Sequence, residues 1–263
     1  MARALDKYLR KGLSGTTFCP GCGHGILLGS LLRAVDELGL DIHKTLFVSG
    51  IGCAAWIPSP HINADTLHTV HGRAVAYATG AKMANPELTT IVVSGDGDLA
   101  SIGGNHLIHA ARRGIDLTVI CANNEIYGMT GGQTAPTTPI DAHTMTDPEG
   151  NQYRPFDLAA LVLAAGADYV ARWPVTRARA LTESIKRAIS THGFSFVEAL
   201  SPCPTQFGRR NQFDSIPALY DDLDAHCVER GTSEAAPATN GPRFEIGEFS
   251  RSDLFANGSA EQK

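Results

Sequence analysis

Short apolar runs alternating with segments of helical spacing constrain this chain most. Thr45–Ser49, Thr89–Ser94, Leu117–Ala122, Tyr169–Arg172 and Ser195–Leu200 read as strands. Gly23–Leu38, Arg73–Ala84, Ile102–Arg113, Pro155–Ala165 and Thr176–His192 carry apolar residues at helical intervals between them. Strands of nearly continuous apolar residues are buried on both faces, and strand–helix alternation makes neighbouring strands parallel. The expected fold class is therefore α/β, a mostly parallel sheet with helices on both faces. Two long segments, 50–71 and 123–154, follow the carboxyl ends of strands. Loops of that length are uncommon unless functional or disordered, and that edge is where open α/β sheets bind ligands.

Charge and composition exclude several partners. With 22 Lys and Arg against 27 Asp and Glu in 263 residues, the chain lacks the basic excess that nucleic acid requires. The most apolar stretch, around Leu158–Ala167, is far shorter than the roughly 20 residues of a membrane span. The opening "MARALDKYLRKGLSG" has no apolar core segment and does not read as a signal peptide. The expected location is the cytoplasm, where six cysteines would seldom form disulfides. Residues 1–227 read as one domain. From 228 to 263 the composition turns to Gly, Ala, Ser and Pro, consistent with a tail or with a subunit-docking arm presenting Phe244, Ile246, Phe249, Leu254 and Phe255.

At residues 90–104, "TIVVSGDGDLASIGG", a strand runs into Gly95-Asp96-Gly97 and then into a helical segment. "GDGDLA" fits the dinucleotide fingerprint, which also needs an acidic residue at the end of the next strand. Asp116 has nearly the right spacing but stands at the start of that strand, and the strand ends on Asn123-Asn124. Neighbouring parallel strands would bring Asp96 and Asn124 to one edge, and a carboxylate with an amide oxygen suits Mg²⁺. Gly95 and Gly97 would let backbone approach a phosphate carried by that metal, with the following helix N-terminus facing the anion.

Cys19 and Cys22 form a C-x-x-C in "FCPGCGHG", a pattern shared by zinc, redox and iron–sulfur sites. No second C-x-x-C completes a zinc site, and no strand precedes this one as in thioredoxin-like motifs. Cys53 in "GIGCAA" and Cys203 in "SPCPTQ" are likewise set among Gly and Pro in loops. Four thiolates from separate loops suit a [4Fe–4S] cluster. Cys121 lies mid-strand and reads as core, and Cys227 reads as an idle thiol.

G-D-G followed by N-N resembles the thiamine diphosphate signature of transketolase-like and 2-oxoacid-converting enzymes. That resemblance implies Mg²⁺ bound by Asp96, Asn124 and the carbonyl of Ile126, and a diphosphate lined by Gly97, Asp98, Gly128 and Met129. With the cysteines added, the stretch from about Phe18 to Asn211 resembles the β subunit of 2-oxoacid:ferredoxin oxidoreductases. The resemblance is carried by "CPGCGHG", "SGIGCAAWIPSP", "HTVHGRA", "GDGDLASIGGNH", "NNEIYGMTGGQTAPTTP" and "SPCPTQFGRRN". It implies a CoA-dependent oxidative decarboxylation of a 2-oxoacid, with electrons passing singly through the cluster to ferredoxin. The variants here look most like the 2-oxoglutarate enzymes, with pyruvate or a branched-chain acid as the alternative. A nicotinamide-dependent dehydrogenase is a remote one.

The same resemblance places Ile51, Gly52, Cys53, Ala54, His71, Gly72, Gly95 and Gly97 at the cofactor, with His71 near the reacting carbon as proton donor or charge stabiliser. The alternative for His71 is a helix-capping role. Trp56 stands where some relatives carry a basic residue for the substrate's distal carboxylate. Thiamine activation needs a glutamate from a pyrimidine-binding domain, which in this family lies on an α subunit. The implied partners are therefore that subunit, ferredoxin and further small subunits in some assemblies. Arg209 and Arg210 are candidates for CoA phosphate or partner contact. His24 is expected to bond a sulfur or carbonyl, and His106 and His109 to lie at a subunit contact.

Overall fold

The computed structural model describes residues 5–13, 15–231, 243–250 and 252. In chain order the elements are α1 (His24–Leu38), β1 (Thr45–Ser49), β2 (Asp65–His68), α2 (Ala74–Ala84), β3 (Thr89–Gly95), α3 (Gly104–Arg112) and β4 (Leu117–Asn123). A two-stranded hairpin, β5 (Ile126–Tyr127) and β6 (Gln133–Thr134), precedes α4 (Leu158–Ala165), β7 (Tyr169–Pro174), α5 (Ala178–Ser190) and β8 (Phe194–Leu200). Then come α6 (Ile216–His226), β9 (Cys227–Glu229) and β10 (Phe244–Phe249).

The sheet runs β2-β1-β3-β4-β8-β7-β10-β9. Its first six strands are mutually parallel, and β10 joins antiparallel to β7. Consecutive residues of the central strands feed opposite faces. Ile91, Val93, Ile120 and Ala122 pack beneath α1 and α5, whereas Val92, Val119 and Cys121 pack beneath α2, α3 and α4. This is the expected fold, and Cys121, fully buried, lies in its second core layer.

The five anticipated strands are the interior of the sheet. β2 lies in the first long loop, where Asp65-Thr66-Leu67-His68 is mostly exposed and so carries no apolar run. β9 starts at Cys227, so the sheet continues past residue 227. Phe244 and Phe249 pack on the chain's own sheet and Ile246 is buried there; Leu254 and Phe255 lie outside the described residues.

A buried ion network ties the central strands together. Arg172 on β7 donates from Nε to Glu198 on β8 at 2.7 Å and from Nη2 to Asp157, while Asn123 Nδ2 donates to the other Glu198 oxygen at 2.7 Å. Glu198→Ala would leave Arg172 buried and half-paired. It is expected to cost about 3 kcal/mol, read as a lower urea midpoint at unchanged slope.

Candidate functional site

The sheet registers Gly95 on β3 opposite Ala122 on β4, so the residues that follow emerge side by side at the carboxyl edge. Asp96 is buried, and its Oδ2 accepts the Thr137 hydroxyl. Burial pushes its carboxyl up to about 6, against hydrogen bonds that favour the charged form. Glu125 turns the chain at φ 61°, which brings the Ile126 carbonyl back toward Asn124. With the Asn124 amide oxygen inward, that atom lies 3.3 Å from Asp96 Oδ1 and 2.6 Å from the Ile126 oxygen; turned over, its NH₂ donates to both. Three oxygens facing one another form the donor set of a hard cation. The residues therefore fit Mg²⁺, and in its absence the amide can satisfy the other two by rotating.

Beside this trio lies a cavity of about 200 Å³. Ile51, Gly52, Cys53 and Ala54 form one wall and Gly95, Asp96, Gly97 and Asp98 a second. Asn124, Ile126, Gly128 and Met129 form a third, with His71 also lining the space. Most of the residues anticipated at the cofactor thus share one concave surface. Gly72 does not line it. A Cβ there would overlap Ile102, so this glycine serves close packing.

Two roles differ from expectation. At Gly97 an added Cβ would fall 2.5 Å from the Tyr127 ring, and the Tyr127 hydroxyl donates to the Gly97 carbonyl at 3.0 Å. That glycine makes room for a tyrosine as well as for backbone approach. Asp98 lies at the cavity, but both its oxygens are engaged by Ser94, Ile51 and Gly72. Tyr127 and Thr130 also line the cavity and Thr137 bonds Asp96, all three from the long segment after β4 and without a sequence signal of their own.

Cys53 and Cys203 approach one another next to this cavity, and Cys19 and Cys22 lie within electrostatic reach of them. The position a Cβ would take on Gly128 is 3.6 Å from the sulfurs of both Cys53 and Cys203 and 3.8 Å from the Asn124 amide. Those two sulfurs can be no further apart than twice that distance. Cys19 and Cys22 close a tight turn, with Cys22 N–H donating to the Cys19 carbonyl at 3.0 Å, and Gly23 N–H anchors the turn to Pro202, beside Cys203, at 3.1 Å. Burial pushes the Cys22 thiol up to about 12 and the Cys53 thiol to about 11, and the neighbouring cysteines add to both rises. Backbone N–H groups already face sulfur, Gln206 to Cys203 at 3.5 Å and His24 to Cys22. A metal centre would favour the thiolates that burial opposes. Among the described residues no three Cys, His, Asp or Glu side chains converge on a single-ion site; a polynuclear cluster instead needs its four thiolates spread around it.

The histidine after the C-x-x-C bonds neither sulfur nor carbonyl through its ring. His24 is fully buried, its Nδ1 is 2.7 Å from the Ser201 hydroxyl, and burial lowers its pKa to about 4. Arg210 turns inward to donate to the Gly131 carbonyl at 2.7 Å, while Arg209 is exposed. Trp56 lies outside the cavity wall, edge-on to His68. Asp116 pairs with Lys82 at 2.8 Å at the opposite edge of the sheet, too far along its strand to hold a dinucleotide ribose.

A larger cavity, about 380 Å³, lies beyond Asn124 between residues 139–142 and α6. Glu125, Asp222 and His226 line it, and burial with nearby Asp96 pushes the Glu125 carboxyl up to about 8. Asp96, Gly97 and His71 do not reach it, so the smaller cavity is the one with the equipment for a metal-held phosphate. No helix among the described residues is long and apolar enough to cross a membrane.

Residues 50–199 match the thiamine pyrophosphate enzyme C-terminal TPP-binding domain. The 2-oxoglutarate synthase subunit KorB of Methanothermobacter thermautotrophicus is 53% identical over 92% of this chain and 85% of its own length. The protein of that name from Methanothermobacter marburgensis is 48% identical over the same shares. A solved structure of 2-oxoglutarate:ferredoxin oxidoreductase from Magnetococcus marinus, with 2-oxoglutarate, coenzyme A and succinyl-CoA bound, superposes with a TM-score of 0.81. It is 34% identical and covers 94% of this chain and 84% of that one. The chain belongs to the thiamine pyrophosphate enzymes, among the β subunits of 2-oxoacid:ferredoxin oxidoreductases.

Proposed function

We propose that this chain is the catalytic β subunit of a cytoplasmic 2-oxoglutarate:ferredoxin oxidoreductase that converts 2-oxoglutarate and coenzyme A to succinyl-CoA and CO₂ while reducing ferredoxin. The observation that carries the proposal is the junction at Gly128, where two cysteine sulfurs and the Asn124 amide surround one residue. It supports a reading in which a metal-held diphosphate and a cysteine-bound redox centre would lie side by side in one subunit, the juxtaposition that one-electron oxidation of a decarboxylated acid requires.

In this reading Asp96, Asn124 and the Ile126 carbonyl hold Mg²⁺. The edges formed by residues 51–54, 95–97 and 128–129 receive thiamine diphosphate. Bound there, the cofactor supplies the electron sink for decarboxylation. Cys19, Cys22, Cys53 and Cys203 carry a [4Fe–4S] cluster. His71, lining the same cavity, exchanges a proton with the substrate. An α subunit supplies the activating glutamate and closes the cavity. Ferredoxin takes the electrons, and small additional subunits complete some assemblies. The names of the relatives and the acid and CoA in the Magnetococcus structure support 2-oxoglutarate over pyruvate or branched-chain acids.

The test is a CoA-dependent assay of the co-purified complex with a one-electron dye and a panel of 2-oxoacids. Dye reduction should be fastest with 2-oxoglutarate. Preference for pyruvate would move the substrate assignment, and reduction of NAD in place of the dye would overturn the reaction.

A further inference from the structure

Thr137 and Thr138 are neighbours in the long segment after β4, and both are buried, at 4% and 0% exposure. They engage the segments that carry the facing oxygens of Asp96, Asn124 and Ile126 at two points. The Thr137 hydroxyl donates to Asp96 Oδ2. The other carboxylate oxygen, Oδ1, is the one that stands 3.3 Å from the Asn124 amide. The Thr138 hydroxyl donates to the Glu125 carbonyl at 2.5 Å and accepts the Ala135 N–H at 2.8 Å. Glu125 is the residue at φ 61° between Asn124 and Ile126, in a conformation that residues other than glycine seldom adopt. Its N–H is held as well, by Asn123 Oδ1 at 3.0 Å.

The threonine pair is itself anchored. Asn151, 1% exposed, donates from Nδ2 to the carbonyls of Thr138 at 2.8 Å and Tyr153 at 2.9 Å. Phe156 N–H donates to the Pro136 carbonyl at 2.8 Å. Thr137 therefore meets Asp96 from a fixed frame.

A carboxylate can give a cation one oxygen or both. With a hydroxyl proton on Oδ2, Oδ1 is the oxygen left to face Asn124. Mg²⁺ demands octahedral geometry with short bonds, whereas Ca²⁺ takes more oxygens at longer distance and accepts a carboxylate through both. Partners of a metal's ligands fix ligand orientation and are worth about ten- to a hundredfold in metal affinity.

We infer that Thr137 is a positioning residue that holds Asp96 to a single coordinating oxygen and so favours Mg²⁺ over Ca²⁺. The inference rests on the reading that Asp96, Asn124 and Ile126 bind Mg²⁺. It gives a role to a threonine of "TAPTTP" that does not line the cofactor cavity.

The test uses the complex with its partner subunit, freed of thiamine diphosphate and divalent cations. It is titrated calorimetrically with the cofactor in magnesium, in calcium and in EDTA. Thr137→Val keeps the side-chain shape and removes the hydroxyl. The expected result is a loss of cofactor affinity of about tenfold with magnesium and roughly twofold or less with calcium, so the ratio between the two falls. Thr137→Ser keeps the donor and should restore that ratio. Thr138→Val loosens the same segment without touching Asp96, and should leave the ratio at the parent value.

A parent ratio in Thr137→Val, with both affinities kept or both lowered alike, would overturn the inference. So would an equal shift of the ratio in Thr138→Val, which would trace it to loosening alone. Equal affinity of the parent complex in magnesium and EDTA would remove the metal site itself, and the inference with it. Should Thr137→Val fail to assemble, Thr137→Ala removes the same donor with less bulk and is judged by the same ratio.

Discussion

Asp96→Ala is expected to lower the affinity for thiamine diphosphate more than a hundredfold in the presence of magnesium, while the visible absorption and iron content of the complex stay at the parent level. Asp96 is the one carboxylate among the three oxygens that face each other at the edge of β3 and β4, the others being a neutral amide and a neutral carbonyl. A divalent hard cation draws most of its binding from such a charge, and even outer partners of metal ligands are worth ten- to a hundredfold. Burial already penalises the ionised carboxyl, so alanine should leave the urea midpoint close to the parent value. Calorimetric titration with magnesium, and again with EDTA, reads the effect. Parent affinity in the variant would remove Asp96 from the metal site, and joint loss of iron and thiamine binding would show that the two sites are not separable.

Cys203→Ser is expected to produce the converse. Cys203 is buried, receives the Gln206 N–H at 3.5 Å and adjoins Cys53 across Gly128. On the proposed cluster, a hydroxyl in place of a thiolate would remove one of four iron ligands. Iron per complex and the visible absorption should drop, and reduction of a one-electron acceptor should slow at least a hundredfold. Thiamine diphosphate affinity should remain within about twofold, because Asp96 and Asn124 stay in place. Cys121→Ser provides the control, since Cys121 is buried between β3 and β8 in the sheet core; it should keep full iron. Unchanged iron in Cys203→Ser would strike Cys203 from the ligand set.

The interior of the fold was legible because burial on both faces leaves a sequence trace. Val92 and Val93, or Val119 and Ile120, must each satisfy an apolar layer, and continuous apolar runs result. Edge elements carry less. β2 is polar and exposed. β10 alternates as Phe-Glu-Ile-Gly-Glu-Phe, but its partner β7 is more than 70 residues away, and nothing local says the strand returns. α6 carries local signals, with Ser215 capping the Ala218 N–H and Pro217 in its first turn, but its polar face dominates the segment and leaves little apolar periodicity.

The site divides in the same way. Asp96, Asn124 and the four cysteines stand out in the sequence because a carboxylate, an amide and thiols beside glycine or proline are residue types that metal chemistry uses, and the proposal rests on them. The partners of Asp98 do not, since Gly50, Ile51, Gly72 and Ser94 meet only after three strands have set their loops side by side. Likewise, nothing near Gly97 foretold that Tyr127, 30 residues on, would occupy the space above it.

The central claim is that one subunit seats a metal-held diphosphate and an iron cluster on either side of Gly128. Diffraction from the anaerobically purified complex, collected at the iron absorption edge with magnesium and thiamine diphosphate bound, tests it most directly. A single compact iron peak should appear, enclosed by the sulfurs of Cys19, Cys22, Cys53 and Cys203, with the diphosphate across Gly128 beside Asp96. Iron bound elsewhere, or those four sulfurs dispersed with no iron among them in an active complex, would contradict it.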